Sequence, residues 1–415
     1  MLQKLRKLRT NENVLIAVDV LLHSKSAFMN VFLMAFMIRS SLKDSPVSFL
    51  VYCIVRYALI GIISILLLQL IRKHTLLAWR ASMFFSVLQI ICVLILDSRA
   101  PYFPFIIAIF AACESVLYWR PKMYYDTTEV SDDRRLRFKS MGQILIEIAK
   151  ISVPVILGLI ISNSSYRFAA NIVLGISLFQ LLLSILFRPT KRQPSQSGSS
   201  HTIFDVMHYM LRHVSMRRMI YLSFLRGVIV SSSAYLMIAQ INMYRSTNSD
   251  LDLGIYTALA SLITIVVLWV YRHLEHKKEA QKTVLFSLIP PVVLLPIAAI
   301  ILPGNAVIAI ALYVYTQSIV ESFLNATLTL VRLQDIMSRH LKNESYEIEI
   351  DSIAGVFLSI GRVVTISVAL ALILAGLDNL LMPFALVLSF AIFPVIYLTL
   401  PSKMWRRDKI EAWFI

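Results

Sequence analysis

Twelve apolar runs, each long enough to cross a bilayer, set the terms for any fold this chain can adopt. They fall at roughly 13–38, 48–71, 75–96, 103–125, 138–162, 166–187, 218–243, 253–271, 283–301, 304–330, 352–375 and 380–400. Backbone polar groups inside hydrocarbon must be satisfied within the segment, so runs of this length read as helices. The composition agrees: 58% of the chain is apolar and 15% charged, against about 45–50% and about 25% in soluble domains. Cys53, Cys92 and Cys113 all lie in apolar runs, without metal-ligand spacing or a disulfide pattern, and read as small buried hydrophobes. The N-terminal MLQKLRKLRT leads into a run too long and too polar for a cleavable signal.

Charge gives the orientation. With the N-terminus in the cytoplasm, the tails and the loops on that side hold 29 of the 40 Lys and Arg. The opposite loops hold five: Arg39, Lys43, Arg99, Arg167 and Arg245. This positive-inside split predicts two cytoplasmic termini. It also accounts for the net charge of +16 by an anionic leaflet, without nucleic acid. The longest polar connection, 188–217, contains Lys191-Arg192-Gln193-Pro194-Ser195-Gln196-Ser197-Gly198-Ser199-Ser200, a flexible composition. His201 to His213 has the makings of a short interfacial helix.

The two halves echo each other. Glu114-Ser115-Val116-Leu117 recurs as Glu321-Ser322-Phe323-Leu324, 207 positions later. The same offset aligns Ser24-Lys25-Ser26-Ala27-Phe28 with Ser231-Ser232-Ser233-Ala234-Tyr235 and sets Asp19 against Arg226. An offset of 212 pairs Ser140 with Ser352 and Lys150 with Arg362. The expected fold class is an all-α membrane protein of twelve transmembrane helices in two pseudo-symmetric six-helix bundles. The first is 1–187, the linker 188–217, and the second with its tail 218–415.

Six spans, a cytoplasmic linker and six more, with this internal echo, resemble the major facilitator superfamily. Between spans two and three the family usually carries Gly and Asp ahead of basic residues; here Leu68-Gln69-Leu70-Ile71-Arg72-Lys73 keeps only the basic end. Span five keeps Pro154 and Gly158 of a pattern seen in family antiporters. The tract from Trp119 through Ile161 is similar to YQGE-type bacterial members, which implies a bacterial plasma membrane. The resemblance implies parallel six-span repeats about an axis along the membrane normal, with a midplane site between them.

Apart from Arg80, Lys122, Lys139, Arg167 and Arg218, which lie toward the run ends and count with the loops, ten non-histidine ionisable groups lie inside the runs: Asp19, Lys25, Arg56, Glu114, Arg120, Glu147, Lys150, Arg226, Glu321 and Arg362. Each costs about 2.5–3.5 kcal/mol at a helix centre on insertion scales, so each is expected to be paired or to face water. Helical spacing places Asp19, His23, Ser26 and Asn30 on one stripe, with Lys25 off it toward a neighbouring helix. Further stripes join Glu114, Tyr118, Pro121 and Tyr125; Glu147, Lys150, Pro154 and Gly158; and Ser318, Glu321, Asn325 and Arg332. Spans three, six, nine and twelve carry none of the ten, as lipid-facing supports should.

These patterns nominate Glu114 first, then Glu147, Asp19 and His23, as proton-coupling groups. Asn30, Tyr118, Lys150, Arg226, Glu321, Asn325 and Arg362 are nominated as cavity or substrate contacts. Asp19 with Arg226, Arg72, Lys73 and the Asp126 segment are nominated as gates. Each has a plainer reading: Glu147 with Lys150, or Asp19 with Arg226, as structural pairs, His23 as a hydrogen-bonded side chain, Arg120 as a snorkelling cation. The leading expectation is a monomeric secondary transporter of a small or lipid-like solute, proton-coupled, without a cofactor, and directed toward export. No nucleotide-binding loop is present for ATP coupling. A non-transporting sensor or immunity protein and a membrane-embedded lipid-modifying enzyme are the alternatives. Against the enzyme, no nucleophile sits with a base at helical reach.

Overall fold

The computed structural model describes residues 2–40, 46–130, 132–189, 203–212, 214–229, 249–275, 280–320 and 347–399. Within them every regular element is a helix. In the first half α1 (Leu2–Ala27) passes through a π-helical segment, Phe28–Phe32, into α2 (Leu33–Ser40). Then come α3 (Val47–Leu66), α4 (Leu68–Lys73), α5 (Thr75–Ile95), α6 (Phe103–Thr128), α7 (Asp132–Asn163) and α8 (Tyr166–Leu186). The short α9 (Ile203–Arg212) precedes α10 (Val214–Ile229), α11 (Asp250–Glu275), α12 (Ala280–Ile301), α13 (Ala306–Val320), α14 (Glu347–Leu374) and α15 (Leu381–Thr399). Seven helices among the described residues are long and apolar enough to cross a membrane, and four shorter ones are apolar. The chain is a multi-pass membrane protein.

Local chemistry sets the helix starts. Ser165 caps α8 by accepting the Phe168 N–H at 3.2 Å, and Ser249 accepts Asp252 N–H at 3.3 Å at the head of α11. Asp250 and Asp252 occupy the first turn of α11, where a carboxylate complements the helix dipole. At its other end α8 is closed by Arg80 of α5, which donates to the carbonyls of Ser184 (3.3 Å) and Phe187 (3.1 Å).

The helices pack on small and polar stripes and turn bulk outward. Ser82, Ser86 and Gln89 line the buried side of α5, and Ser177, Gln180 and Ser184 that of α8, against which α5 packs. Small residues let helices approach where lipid gives no hydrophobic drive. Phe179, Leu182, Ile185 and Leu186 of α8, and Val292, Ile297 and Ile300 of α12, are exposed, as a lipid-facing surface requires.

The halves meet chiefly along α3 against α14 and α7 against α11. Gly254 of α11 lies so close to α7 that an added Cβ would overlap the Pro154 carbonyl, and Gly158 of α7 faces the Asp250 backbone. Pro154 and Gly158 thus seat α11 on α7. Inside the second half, α10 and α14 cross the same way, Gly227 against the Leu358 carbonyl and Gly361 against that of Phe224. The apolar face of α9, with Val206 and Met210, is buried against Ile220, Ile350 and Ile353.

Candidate functional site

The end of the bundle at which α1 begins is called the inner end. Between it and the outer end, the buried charges of the first half form two clusters. In the first, Lys25 of α1 donates to the Glu114 carboxylate of α6 and, at 2.7 Å, to Gln89 of α5. Both ionic side chains are almost wholly enclosed. The off-stripe position of Lys25 carries it across to this neighbour. Glu114, the first-nominated proton-coupling group, therefore has a lysine on one oxygen, while its Oε1 is buried without a hydrogen-bond partner.

The second cluster surrounds Asp19. Tyr118 donates to it at 3.0 Å and Lys122 pairs with it at 3.3 Å; Lys122 also takes Asp126, one turn away, at 2.7 Å. The expected pairing of Asp19 with Arg226 is thus replaced by partners within the first half. Tyr118 and Lys122 stand one turn apart on α6, beside α1, and reach the carboxylate first. His23 lies 3.8 Å from Asp19, beyond hydrogen-bond reach, with its ring edge toward Trp119. On α7, Glu147 pairs with Lys150 at 2.8 Å and accepts from Gln143 at 2.6 Å.

A third group lies where the halves meet. Asn30, in the π-helical segment of the first span, accepts from Arg56 of α3 at 3.3 Å, and the Tyr52 hydroxyl does so at 3.4 Å. A π turn inside a span often marks a functional position. The Arg56 guanidinium lies 5.9 Å from the Tyr52 ring centre and 5.7 Å from that of Tyr57. From α14, Arg362 reaches the same Tyr57 ring at 4.7 Å. The Arg56 charge is near enough to act on both Lys25 and Glu114. Mid-span, then, Asn30, Arg56, Tyr57 and Arg362 face one another beside the Lys25–Glu114 pair. Glu321 and Asn325 lie outside the described residues.

Ion pairs hold both ends. At the inner end Arg72 pairs with Glu349 at 3.3 Å, and Arg120 with Asp351. At the outer end Arg39 pairs with Asp250 at 2.6 Å. Lys73, nominated with Arg72, is exposed and stands outside these pairs. Arg120 does not snorkel. It is buried against α14 because Gly355, one turn from Asp351, leaves its guanidinium the space a Cβ would fill. Lys122, Gln89, Asp250, Glu349 and Asp351 were not nominated from the sequence. Lys122, at the inner end of its run, and the three acids, at helix starts, read there as loop charges.

No protein-family model and no curated protein matches the chain in sequence. Its fold matches solved structures. The nucleoside transporter NupG superposes with a TM-score of 0.63 at 11% identity, covering 94% of this chain and 99% of that one. A bacterial homologue of the iron transporter ferroportin, in an inward-facing state, gives 0.61 at 12% identity, covering 95% and 98%. The chain shares the fold of these two proteins over nearly its whole length.

Proposed function

We propose that this protein is a secondary transporter that moves a small solute by alternating access between two six-helix bundles, coupled to protons. The observation that carries the reading is the mid-span polar group at the seam of the halves, Asn30, Arg56, Tyr57 and Arg362, with exchangeable ion pairs at both ends of that seam. Charged groups are expensive in a membrane interior and are kept there for ion or substrate passage. Salt bridges between rigid bundles can break at one end while they hold at the other, the device that rocking requires.

Glu114 is the proposed proton site. A proton on this carboxylate removes the counter-charge of Lys25, and loss of the proton restores it, so protonation is tied to the pairing of a buried cation. Glu147, paired with Lys150, is the second site proposed. The termini are proposed to be cytoplasmic, since the inner end carries the basic loops, and the protein a monomer. Export is the proposed direction, because the residues by which span five resembles antiporters, Pro154 and Gly158, are those that seat the second half on the first.

The test is flux in proteoliposomes under an imposed proton gradient, read by a trapped pH dye during a solute screen. The Glu114→Gln protein is expected to insert and to superpose on wild type in size-exclusion profile, but to lose gradient-driven uptake. Undiminished gradient-driven flux in this variant sinks the assignment of Glu114.

A further inference from the structure

We infer that the mid-span group is an anion site, with Arg56 and Arg362 as its two cationic walls, and that the solute carries a carboxylate or phosphate group. The inference rests on the transport reading for the word solute, but the binding site stands on its own observations.

The first is the accounting of charge. Lys25, Lys122, Lys150 and Arg120 each have a carboxylate partner inside the bundle. Arg56 has none among the described residues. Its hydrogen bonds are two long contacts to neutral oxygens, of Asn30 and Tyr52, and its Nε is buried without a partner. A guanidinium held mid-membrane by aromatic faces and neutral acceptors keeps most of its capacity for a two-point hydrogen bond to an oxyanion.

The second is a difference between the repeats. Lys150 and Arg362 are equivalent at the offset of 212, and Glu147, which neutralises Lys150 from one turn away, is equivalent to Ser359. The second half thus has a serine where the first has the carboxylate. Ser359 Oγ is buried and has no hydrogen-bond partner. It stands one turn from Arg362 and beside α3, where it would be the nearest neighbour of a Cβ on Gly61. A neutral donor has replaced an acid beside the cation that shares the Tyr57 ring with Arg56.

The third is geometric. Arg56 belongs to the first half and Arg362 to the second. An anion bridging them takes donors from both bundles, so its binding depends on how the halves are disposed. That differential contact is what a ligand needs if it is to shift a conformational equilibrium.

Thermal unfolding of the purified protein in detergent tests this with defined probes: inorganic phosphate, glycerol 3-phosphate and succinate, against glycerol and putrescine. At least one anion is expected to raise the melting temperature in a saturable way, with no effect from glycerol or putrescine. Arg56→Gln and Arg362→Gln should each weaken that binding by about ten- to a hundredfold, the value of a charge-assisted hydrogen bond. Arg56→Lys, which keeps the charge without the fork, should retain part of it and guards against a folding artefact. Stabilisation by putrescine in preference to the anions, an anion effect that survives Arg56→Gln, or no anion effect at all overturns the site. Flux separates this from the transport reading. Anion binding without any flux leaves the site and removes transport, whereas gradient-driven flux of a cation leaves transport and removes the site.

Discussion

Asp351→Asn is the sharpest perturbation of the inner seam. The Arg120 and Asp351 side chains are each 10% exposed, so the pair is largely desolvated. Removing one partner of such a pair leaves an uncompensated buried charge, at a cost of about 3–5 kcal/mol. Arg120 and Asp351 lie on opposite halves, so under the proposed alternating access this cost falls on the conformation in which the inner end is closed. At about 1.4 kcal/mol per decade it shifts the balance against closure by roughly two to three and a half decades. Arg72–Glu349 cannot make up the difference: Arg72 is 31% exposed, and such pairs contribute about 1 kcal/mol or less. The assay is electron–electron resonance between spin labels at Lys73 of the first half and His208 of α9, both exposed, α9 being packed on the second half, in a background with Cys53, Cys92 and Cys113 replaced. Asp351→Asn should move the distance distribution to longer values. Adding Arg120→Gln should reverse most of the shift by removing the stranded cation. A distribution unchanged by Asp351→Asn, in a protein that unfolds at the wild-type temperature, refutes the argument.

Two further predictions concern packing and the buried pair. Gly254→Ala sets a methyl group against the Pro154 carbonyl, and neither backbone can yield, so a loss of about 1–3 kcal/mol is expected in detergent unfolding. Gly175→Ala, with nothing within 4 Å of its added Cβ, should leave the melting temperature unchanged or raised. Lys25→Met alone strands Glu114 and should cost about 3–5 kcal/mol, whereas Lys25→Met with Glu114→Met should cost less than the single change. Additive losses in that cycle would show that the two groups do not interact.

The apolar runs were legible almost to the residue where turns are sharp: 75–96 against Thr75–Ile95, and 166–187 against Tyr166–Leu186. Hydropathy reports lipid contact, and lipid contact ends where the helix does. Pairings within one helix were legible too, as for Glu147 with Lys150, because the 3.6-residue period fixes them. Pairings between helices were not. Lys25 meets Glu114, and Arg120 meets Asp351, through crossing angles and approach distances that hydropathy does not encode. Gly355 leaves the space that the Arg120 guanidinium fills, and Gly254 lets α11 lie on α7; nothing in hydropathy marks either glycine as a contact point. The repeat gave the equivalence of Asp19 and Arg226, but equivalence under pseudo-symmetry is not contact.

The ion pairs at the seam share a sign. Arg39, Arg72 and Arg120 come from the first half, and their partners Asp250, Glu349 and Asp351 from the second. Taken apart, the first half would keep three arginines along this seam and the second half three acids. A face of one sign attracts its complement and disfavours a second copy of itself. The charge polarity of the seam therefore marks which surface of each half belongs to the other.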